Sequence, residues 1–89
     1  MIRRSVVLGT GSALPLRAVS NEELARTVDT SDAWIRERTG ISMRHMAGEG
    51  ETTSTLATDA ARKALEMAGF GPSDIDLLIL ETATPDQTF

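Results

Sequence analysis

The residues best suited to bind a ligand lie in one short segment, from Asp29 to Ile41. Trp34 is the only tryptophan of the chain, and Arg38 follows four positions later, on the same face of a predicted helix. An indole beside a guanidinium suits a ligand with a base and phosphates, because bases stack on aromatic rings and arginine bonds to phosphate oxygens. On spacing alone, a buried tryptophan covered by an arginine is the commoner arrangement on an amphipathic helix.

The sequence lacks the residues of several common catalytic and cofactor-binding sites. With no cysteine, the chain has no thiol nucleophile, no disulfide and no cysteine-based metal site, and its one histidine, His45, makes a zinc site improbable. Gly9-Thr10-Gly11 lacks the third glycine of a dinucleotide-binding loop, since Leu14 stands there, so we predict a tight turn after a strand. The net charge of −4 argues against a nonspecific nucleic-acid binder.

Two short helices are predicted around the ligand-binding segment, over residues 22–28 and 32–38. Side chains that can accept hydrogen bonds from the first free N–H groups precede them: Ser20, Asn21, Thr30 and Ser31. Gly40 ends the second helix, because glycine adopts the left-handed conformation without steric cost.

A longer helix is predicted after Thr52 or Thr53 and ends at Gly69. Its apolar residues share one face at helical spacing: Leu56, Ala57, Ala60, Ala61, Ala64, Leu65 and Ala68. So many alanines predict that the helix lies close against its neighbour. On the opposite face, Asp59 and Lys63 are expected to pair at i, i+4 spacing.

Three strands are predicted, over residues 5–9, 41–46 and 75–80, of which the first and last are apolar and the second alternates. The order β-α-α-β-α-β predicts an α/β layer with right-handed crossovers. Three strands with about three helices cannot cover both faces of a parallel sheet, so we expect a piece of a larger protein. No apolar stretch is long enough to span a bilayer, and the expectation is a soluble cytoplasmic chain.

Six short stretches of the chain are together highly specific, although each alone is weak. They are Gly9-Thr10-Gly11-Ser12 with Leu14-Pro15, Asn21-x-Glu23-Leu24, Thr30-Ser31-Asp32-x-Trp34-Ile35 through Arg38-Thr39-Gly40-Ile41, Glu51-Thr52-Thr53-Ser54, Ala60-Ala61, and Thr82-Ala83-Thr84-Pro85-Asp86. On these residues the chain resembles the ketoacyl synthase III branch of the thiolase superfamily, over essentially all of its length.

The resemblance implies a thiolase-like α/β fold, with residues 1–89 as the incomplete amino-terminal part of the first domain and an opening βαβαβ portion of three mostly parallel strands. It implies a homodimeric acyltransferase that condenses an acyl-CoA, typically acetyl-CoA, with malonyl-acyl carrier protein to start fatty-acid synthesis. No cofactor is implied beyond the CoA thioester substrate, and no metal, nucleic acid or membrane. The cysteine, histidine and asparagine that perform the reaction in this family lie downstream, so no catalytic residue is expected here.

The residues that carry over from the family concern binding. Trp34 matches a tryptophan that stacks on the CoA adenine, Arg38 an arginine near the nucleotide and pantetheine entrance, and Thr30 a residue at the same mouth. Phe89 matches a phenylalanine that reaches across the dimer interface to help close the partner's acyl pocket. An ordinary interface role for Phe89 is compatible with the same position.

Two alternatives remain open on the sequence. The first keeps the superfamily but changes the reaction: a polyketide starter-unit synthase, an acyltransferase to oxygen or nitrogen, or a relative of hydroxymethylglutaryl-CoA synthase. These enzymes share the CoA mouth, so Trp34 does not separate them. The second is a non-catalytic binding or scaffold domain complete at 89 residues, whose distinguishing sign would be cooperative unfolding of the isolated chain.

Overall fold

The structure, a computed structural model, describes residues 2–87. Its helices and strands follow in this order: β1 (Arg17–Ser20), α1 (Asn21–Leu24), α2 (Asp32–Thr39), β2 (Met43–Met46), α3 (Thr53–Ala68) and a 3₁₀ turn (Pro72–Asp74). The chain divides into two compact units. Residues 14–49 form the hairpin unit, and the residues before and after them form the α3 unit.

The hairpin unit is built on the antiparallel pair β1 and β2, with Arg17 opposite Met46 and Ser20 opposite Met43. The long connection between the two strands holds α1 and α2. Val19 of β1 and Ile35 of α2 are its buried apolar side chains. The helical connection therefore packs on the strand pair through a small apolar core.

The predicted helix boundaries of the hairpin unit are largely confirmed. Ser20 Oγ accepts a hydrogen bond from the Glu23 amide, and Ser31 Oγ accepts one from the Trp34 amide, each over 3.1 Å. Gly40 ends α2 with a left-handed φ of 72°. The first helix is shorter than predicted. It ends at residue 24, and the chain continues to residue 28 in hydrogen-bonded turns.

The α3 unit is centred on the predicted long helix. Thr52 and Thr55 form a capping box at its start, and Gly69 ends it with φ of 73°. The predicted apolar face is the half-buried one, apart from the exposed Ala61. A Cβ atom on Gly11 would lie 2.2 Å from the Ala60 carbonyl oxygen. The expected close approach to this small-residue face is therefore present, and the segment 9–11 makes it.

The predicted pairing on the exposed face of α3 is wrong. Asp59 pairs with Arg62, one turn along at 3.2 Å, rather than with Lys63. The Lys63 ammonium instead donates to the Ser12 carbonyl oxygen at 3.0 Å, so it holds the incoming chain against the helix. Lys63 therefore bonds to the main-chain carbonyl of Ser12 rather than to the Asp59 carboxylate that helical spacing predicts.

The prediction of three mostly parallel strands is not confirmed, because the described residues contain two strands and these run antiparallel. Only β2 falls on a predicted strand. Residues 5–9 and 75–80 form no ladder, and their large apolar side chains are exposed, including Val7 at 79% and Ile79 at 83%. β1 was missed because a four-residue segment with one β-branched residue carries little signal, and its conformation depends on pairing with β2. A strand needs hydrogen-bonded neighbours, and the two apolar runs have none within residues 2–87.

No helix within residues 2–87 is both long and apolar enough to cross a membrane. The same residues contain no group of acidic, histidine or cysteine side chains arranged to hold a metal ion.

Candidate ligand-binding groove

An open groove of about 620 Å³ lies on the hairpin unit, between α1 and the start of α2. Its lining residues come from the end of α1, the turn that follows and one face of α2: Leu24, Val28, Asp29, Thr30, Ser31, Trp34 and Ile35. Two predicted binding residues, Thr30 and Trp34, are among them. The lining combines apolar side chains with a few polar groups, which is typical of small-molecule sites.

Trp34 and Arg38 are in contact, as their spacing predicts. The Arg38 guanidinium carbon lies 4.8 Å from the centre of the Trp34 ring, within the range of a cation–π interaction. Trp34 nevertheless remains 53% exposed. The alternative of a buried tryptophan under an arginine therefore does not describe the hairpin unit, since one face of the indole has a cationic neighbour and the residue stays open to a ligand.

Thr30 has an unusual hydroxyl group. Its Oγ1 atom is buried and has no hydrogen-bond partner among the described residues. A buried hydroxyl without a partner costs about 1–3 kcal/mol, so a group of this kind favours a ligand that supplies the missing bond. Because Thr30 also lines the groove, it marks a polar contact point beside the indole of Trp34.

The local sequence explains how these side chains are positioned. Ser31 caps α2 through the amide of Trp34, which fixes the start of the helix between Thr30 and the indole. Ile35 anchors the same turn of helix in the core. Arg38 reaches Trp34 because residues four apart are neighbours on a helix. The three predicted binding residues described here therefore sit on one helix and its cap, while Phe89 lies outside the described residues.

Asn21 is a structural centre that the sequence reasoning treated only as a possible helix cap. Its side chain is 1% exposed, and its amide donates to Asp32 Oδ1 at 2.9 Å and to the Ile41 carbonyl oxygen at 2.8 Å. Its own Oδ1 accepts from the Arg44 guanidinium. The Asn21-x-Glu23-Leu24 stretch marked Asn21 as part of the resemblance, but the sequence does not predict which residues bond to its side chain.

Asp32, the first residue of α2, joins this network to the exposed face of the helix. Its Oδ1 also accepts from Arg36 Nε at 2.8 Å. The hydrogen bonds from Arg36 and then from Asn21 hold the pKa of Asp32 below its ordinary value. Asp32 is therefore ionised at neutral pH and keeps both hydrogen bonds.

A second cluster, at the amino end of α3, joins two of the stretches that carried the resemblance. Asp86 accepts hydrogen bonds from the Ser54 hydroxyl and from the Ser54 amide, the latter at 3.1 Å, and the Thr53 hydroxyl donates to the Thr84 carbonyl oxygen. The bonds from Ser54 hold the pKa of Asp86 below its ordinary value. The cluster fastens the segment 84–86 to the helix terminus, where a carboxylate is favoured.

His45 lies on β2 as an exposed residue, and its Nδ1 is 2.7 Å from the Pro15 carbonyl oxygen. His45 is therefore a surface residue with a hydrogen-bonding contact.

Comparison with known proteins identifies close relatives of this segment, although no family model matches the chain. It is 77% identical, over 99% of its length, to the beta-ketoacyl-[acyl-carrier-protein] synthase III of Rhizorhabdus wittichii, of which it covers 28%. Its fold matches 3-oxoacyl-[acyl-carrier-protein] synthase III from Aquifex aeolicus with a TM-score of 0.85 and 48% identity, covering 92% of this chain and 26% of that one.

The priming beta-ketosynthase of the R1128 polyketide pathway is also similar, with a TM-score of 0.76 and 42% identity over 89% of this chain and 25% of the other. The chain thus spans little more than a quarter of the length of the relatives it matches. These solved structures carry the thiolase-like α/β fold, which supports that part of the fold prediction. By sequence and by fold, these 89 residues belong to the beta-ketoacyl-[acyl-carrier-protein] synthase III family.

Proposed function

We propose that the full-length protein containing this segment is a ketoacyl synthase III, an acyltransferase that condenses an acyl-CoA with malonyl-acyl carrier protein at the start of fatty-acid synthesis. The observation that carries this proposal is the groove of the hairpin unit. There an exposed indole under an arginine lies beside an unsatisfied threonine hydroxyl, in a chain closely identical to part of a synthase.

Within this proposal the segment binds the nucleotide of the CoA substrate. The adenine stacks on the Trp34 face that Arg38 leaves free, and Arg38 neutralises nearby phosphate. The Thr30 hydroxyl gains a hydrogen bond from or to the base or ribose. The segment contributes no catalytic residue, since the acyl-accepting cysteine and its histidine and asparagine partners belong to the rest of the protein.

The rest of the protein also completes the sheet under this proposal. Residues 5–9 and 75–80 become strands of a βαβαβ portion, supported by their exposed apolar side chains, by the close approach of Gly9 to α3 and by the open pocket that 75–80 line together with α3. The 89 residues then form the amino-terminal part of the first thiolase-like domain. A homodimer in which Phe89 meets the partner's acyl pocket, the use of no cofactor beyond the CoA thioester, and a cytoplasmic location remain predictions.

The Trp34→Ala variant of the full-length protein tests the binding role. Loss of stacking is worth about 1–3 kcal/mol, so kcat/KM for acetyl-CoA should fall about 5- to 150-fold. The activity with S-acetyl-pantetheine, which lacks the nucleotide, should stay unchanged. Trp34→Phe keeps a smaller ring and should lose less.

Equal losses with both thioesters would mean that Trp34 supports the fold rather than the nucleotide. No loss with either would refute the binding role. The condensing activity itself is tested separately, by forming acetoacetyl-acyl carrier protein from acetyl-CoA and malonyl-acyl carrier protein. A polyketide-priming or other acyl-transfer reaction would be indicated by activity with other starters or acceptors and none in this assay.

A further inference from the structure

We propose that Asn21 and Asp32 are positioning residues for the nucleotide groove: through their hydrogen bond they fix the first turn of α2, and with it Thr30 and Trp34, on the strand pair. This inference rests on the proposed function, because it concerns the nucleotide-binding role given to that turn. It assigns a role to two residues that touch neither the groove nor the reacting atoms.

The connectivity of Asn21 supports this role. Its backbone amide donates to the Ser42 carbonyl oxygen at 3.1 Å, and its side chain bonds the Ile41 carbonyl oxygen, Asp32 and Arg44. Both amide hydrogens and the amide oxygen therefore have partners. With 1% exposure, no water competes for these bonds, so the position of this side chain is well determined.

Arg44 extends the anchor to the other strand. It lies opposite Val19 in the β1–β2 pair, and its second guanidinium nitrogen donates to the Val19 carbonyl oxygen at 3.1 Å. Asn21 is thus held by both strands and by the residues that precede β2. From this fixed point only one bond reaches α2, the bond to Asp32.

Asp32 is placed where that bond matters most for the groove. It is the first residue of α2, two positions after Thr30 and two before Trp34. The helix has one buried apolar contact, Ile35, on the same turn. An apolar contact alone permits the helix to rotate or slide, whereas a directional hydrogen bond at its first residue sets the rotation that presents Trp34 to the groove.

The measurement is the ratio of kcat/KM for acetyl-CoA to kcat/KM for S-acetyl-pantetheine in the full-length protein, a ratio that global destabilisation does not move. Asp32→Ala removes the bond to Asn21, and we expect the ratio to fall about 2- to 10-fold, the worth of one hydrogen bond. Asp32→Asn keeps an oxygen that accepts from Asn21, so the ratio should stay within about twofold of the parent.

Asn21→Ala should lower the ratio at least as much as Asp32→Ala. Because Asn21 is buried, the Asn21→Ala variant risks failing to fold. In that case Asp32→Ala still tests the positioning role. Asp59→Ala is the matched control, because Asp59 has a similar helical ion pair with Arg62 in the other unit and no link to the groove. It should leave the ratio unchanged. Combining Asp32→Ala with Trp34→Ala should lower the ratio by less than the two separate losses multiplied together, because part of the effect of Asp32→Ala acts through Trp34.

If Trp34→Ala lowers the ratio and neither Asp32→Ala nor Asn21→Ala does, the positioning role is refuted while the nucleotide groove stands. A fall with Asp32→Asn equal to that with Asp32→Ala would also overturn it, since the charge rather than the bond to Asn21 would then matter. If Trp34→Ala leaves the ratio unchanged, the proposed groove fails first, and the positioning role fails with it.

Discussion

Gly11 is the position where a single added methyl group should be most disruptive in the α3 unit. A Cβ atom there would lie 2.2 Å from the Ala60 carbonyl oxygen and 2.7 Å from the Ala64 amide nitrogen, whereas ordinary contacts begin at 3.4 Å. Both atoms belong to the helix backbone, so no rotamer change relieves the clash. To accommodate Gly11→Ala, the segment must move from α3 by about 1 Å or more, which breaks close packing.

The expected cost follows from overpacking, which destabilises by about 1–3 kcal/mol, and the rigid neighbours place Gly11→Ala in the upper half of that range. At about 2 °C per kcal/mol for a large protein, the Tm of the full-length protein should fall about 4–6 °C. The assay is thermal unfolding at fixed protein concentration and scan rate. Removing the side chain of residue 64 by Ala64→Gly should not restore the Tm of the Gly11→Ala variant, because the clash is with main-chain atoms.

Gly71→Ala is the matched control. A Cβ atom there meets only Asp74 Oδ2, at the ordinary distance of 3.7 Å, and the backbone of Gly71 is in a conformation that alanine adopts. Its Tm should match the parent or rise slightly, because alanine reduces the freedom of the unfolded chain. If Gly11→Ala and Gly71→Ala unfold at the same temperature, segment 9–11 does not pack on α3 as described.

Two further predictions concern pH and backbone conformation. Because Ser54 holds the pKa of Asp86 below 3.8, the stabilisation from Asp86 should be complete above about pH 4 and lost as the pH falls through the lowered value. The Tm difference between the parent and Asp86→Asn should therefore be constant from pH 5 to 8 and shrink as the pH falls below about 4, and a difference that does not change with pH over the acid range would contradict the bond to Ser54. Gly40→Ala should cost about 1 kcal/mol through its φ of 72° alone, since no atom lies within 4 Å, and a Tm drop well beyond about 2 °C would point to a contact that the structure lacks.

The features predicted well from the sequence are those decided by near neighbours along the chain. The caps at Ser31 and Thr52 and the ends at Gly40 and Gly69 depend on hydrogen bonds within a few residues or on one backbone angle. The alanine face of α3 depends only on helical period. Trp34 and Arg38 likewise meet because four residues make about one turn.

The features predicted poorly depend on distant partners. The apolar runs 5–9 and 75–80 have the composition of buried strands, but a ladder also needs a neighbouring strand, which the described residues do not supply. The short β1 has a weak strand signal and yet pairs with β2. Asn21 was expected to cap a helix, whereas the three partners of its side chain lie 11 to 23 residues away.

The hydrogen bonds of the hairpin unit explain where the candidate site could be found. In the hairpin unit, Val19 and Ile35 are buried and the Asn21 amide has a partner for every hydrogen-bonding atom. Against that background the unpaired Thr30 hydroxyl is an exception in an otherwise satisfied structure, and exceptions of this kind point to a ligand. Exposure alone gives no such signal, because large apolar side chains are exposed in both units, for example Leu16 at 91% and Leu78 at 72%. Trp34 is instead distinguished by its contact with Arg38 and by the groove that it lines together with Thr30.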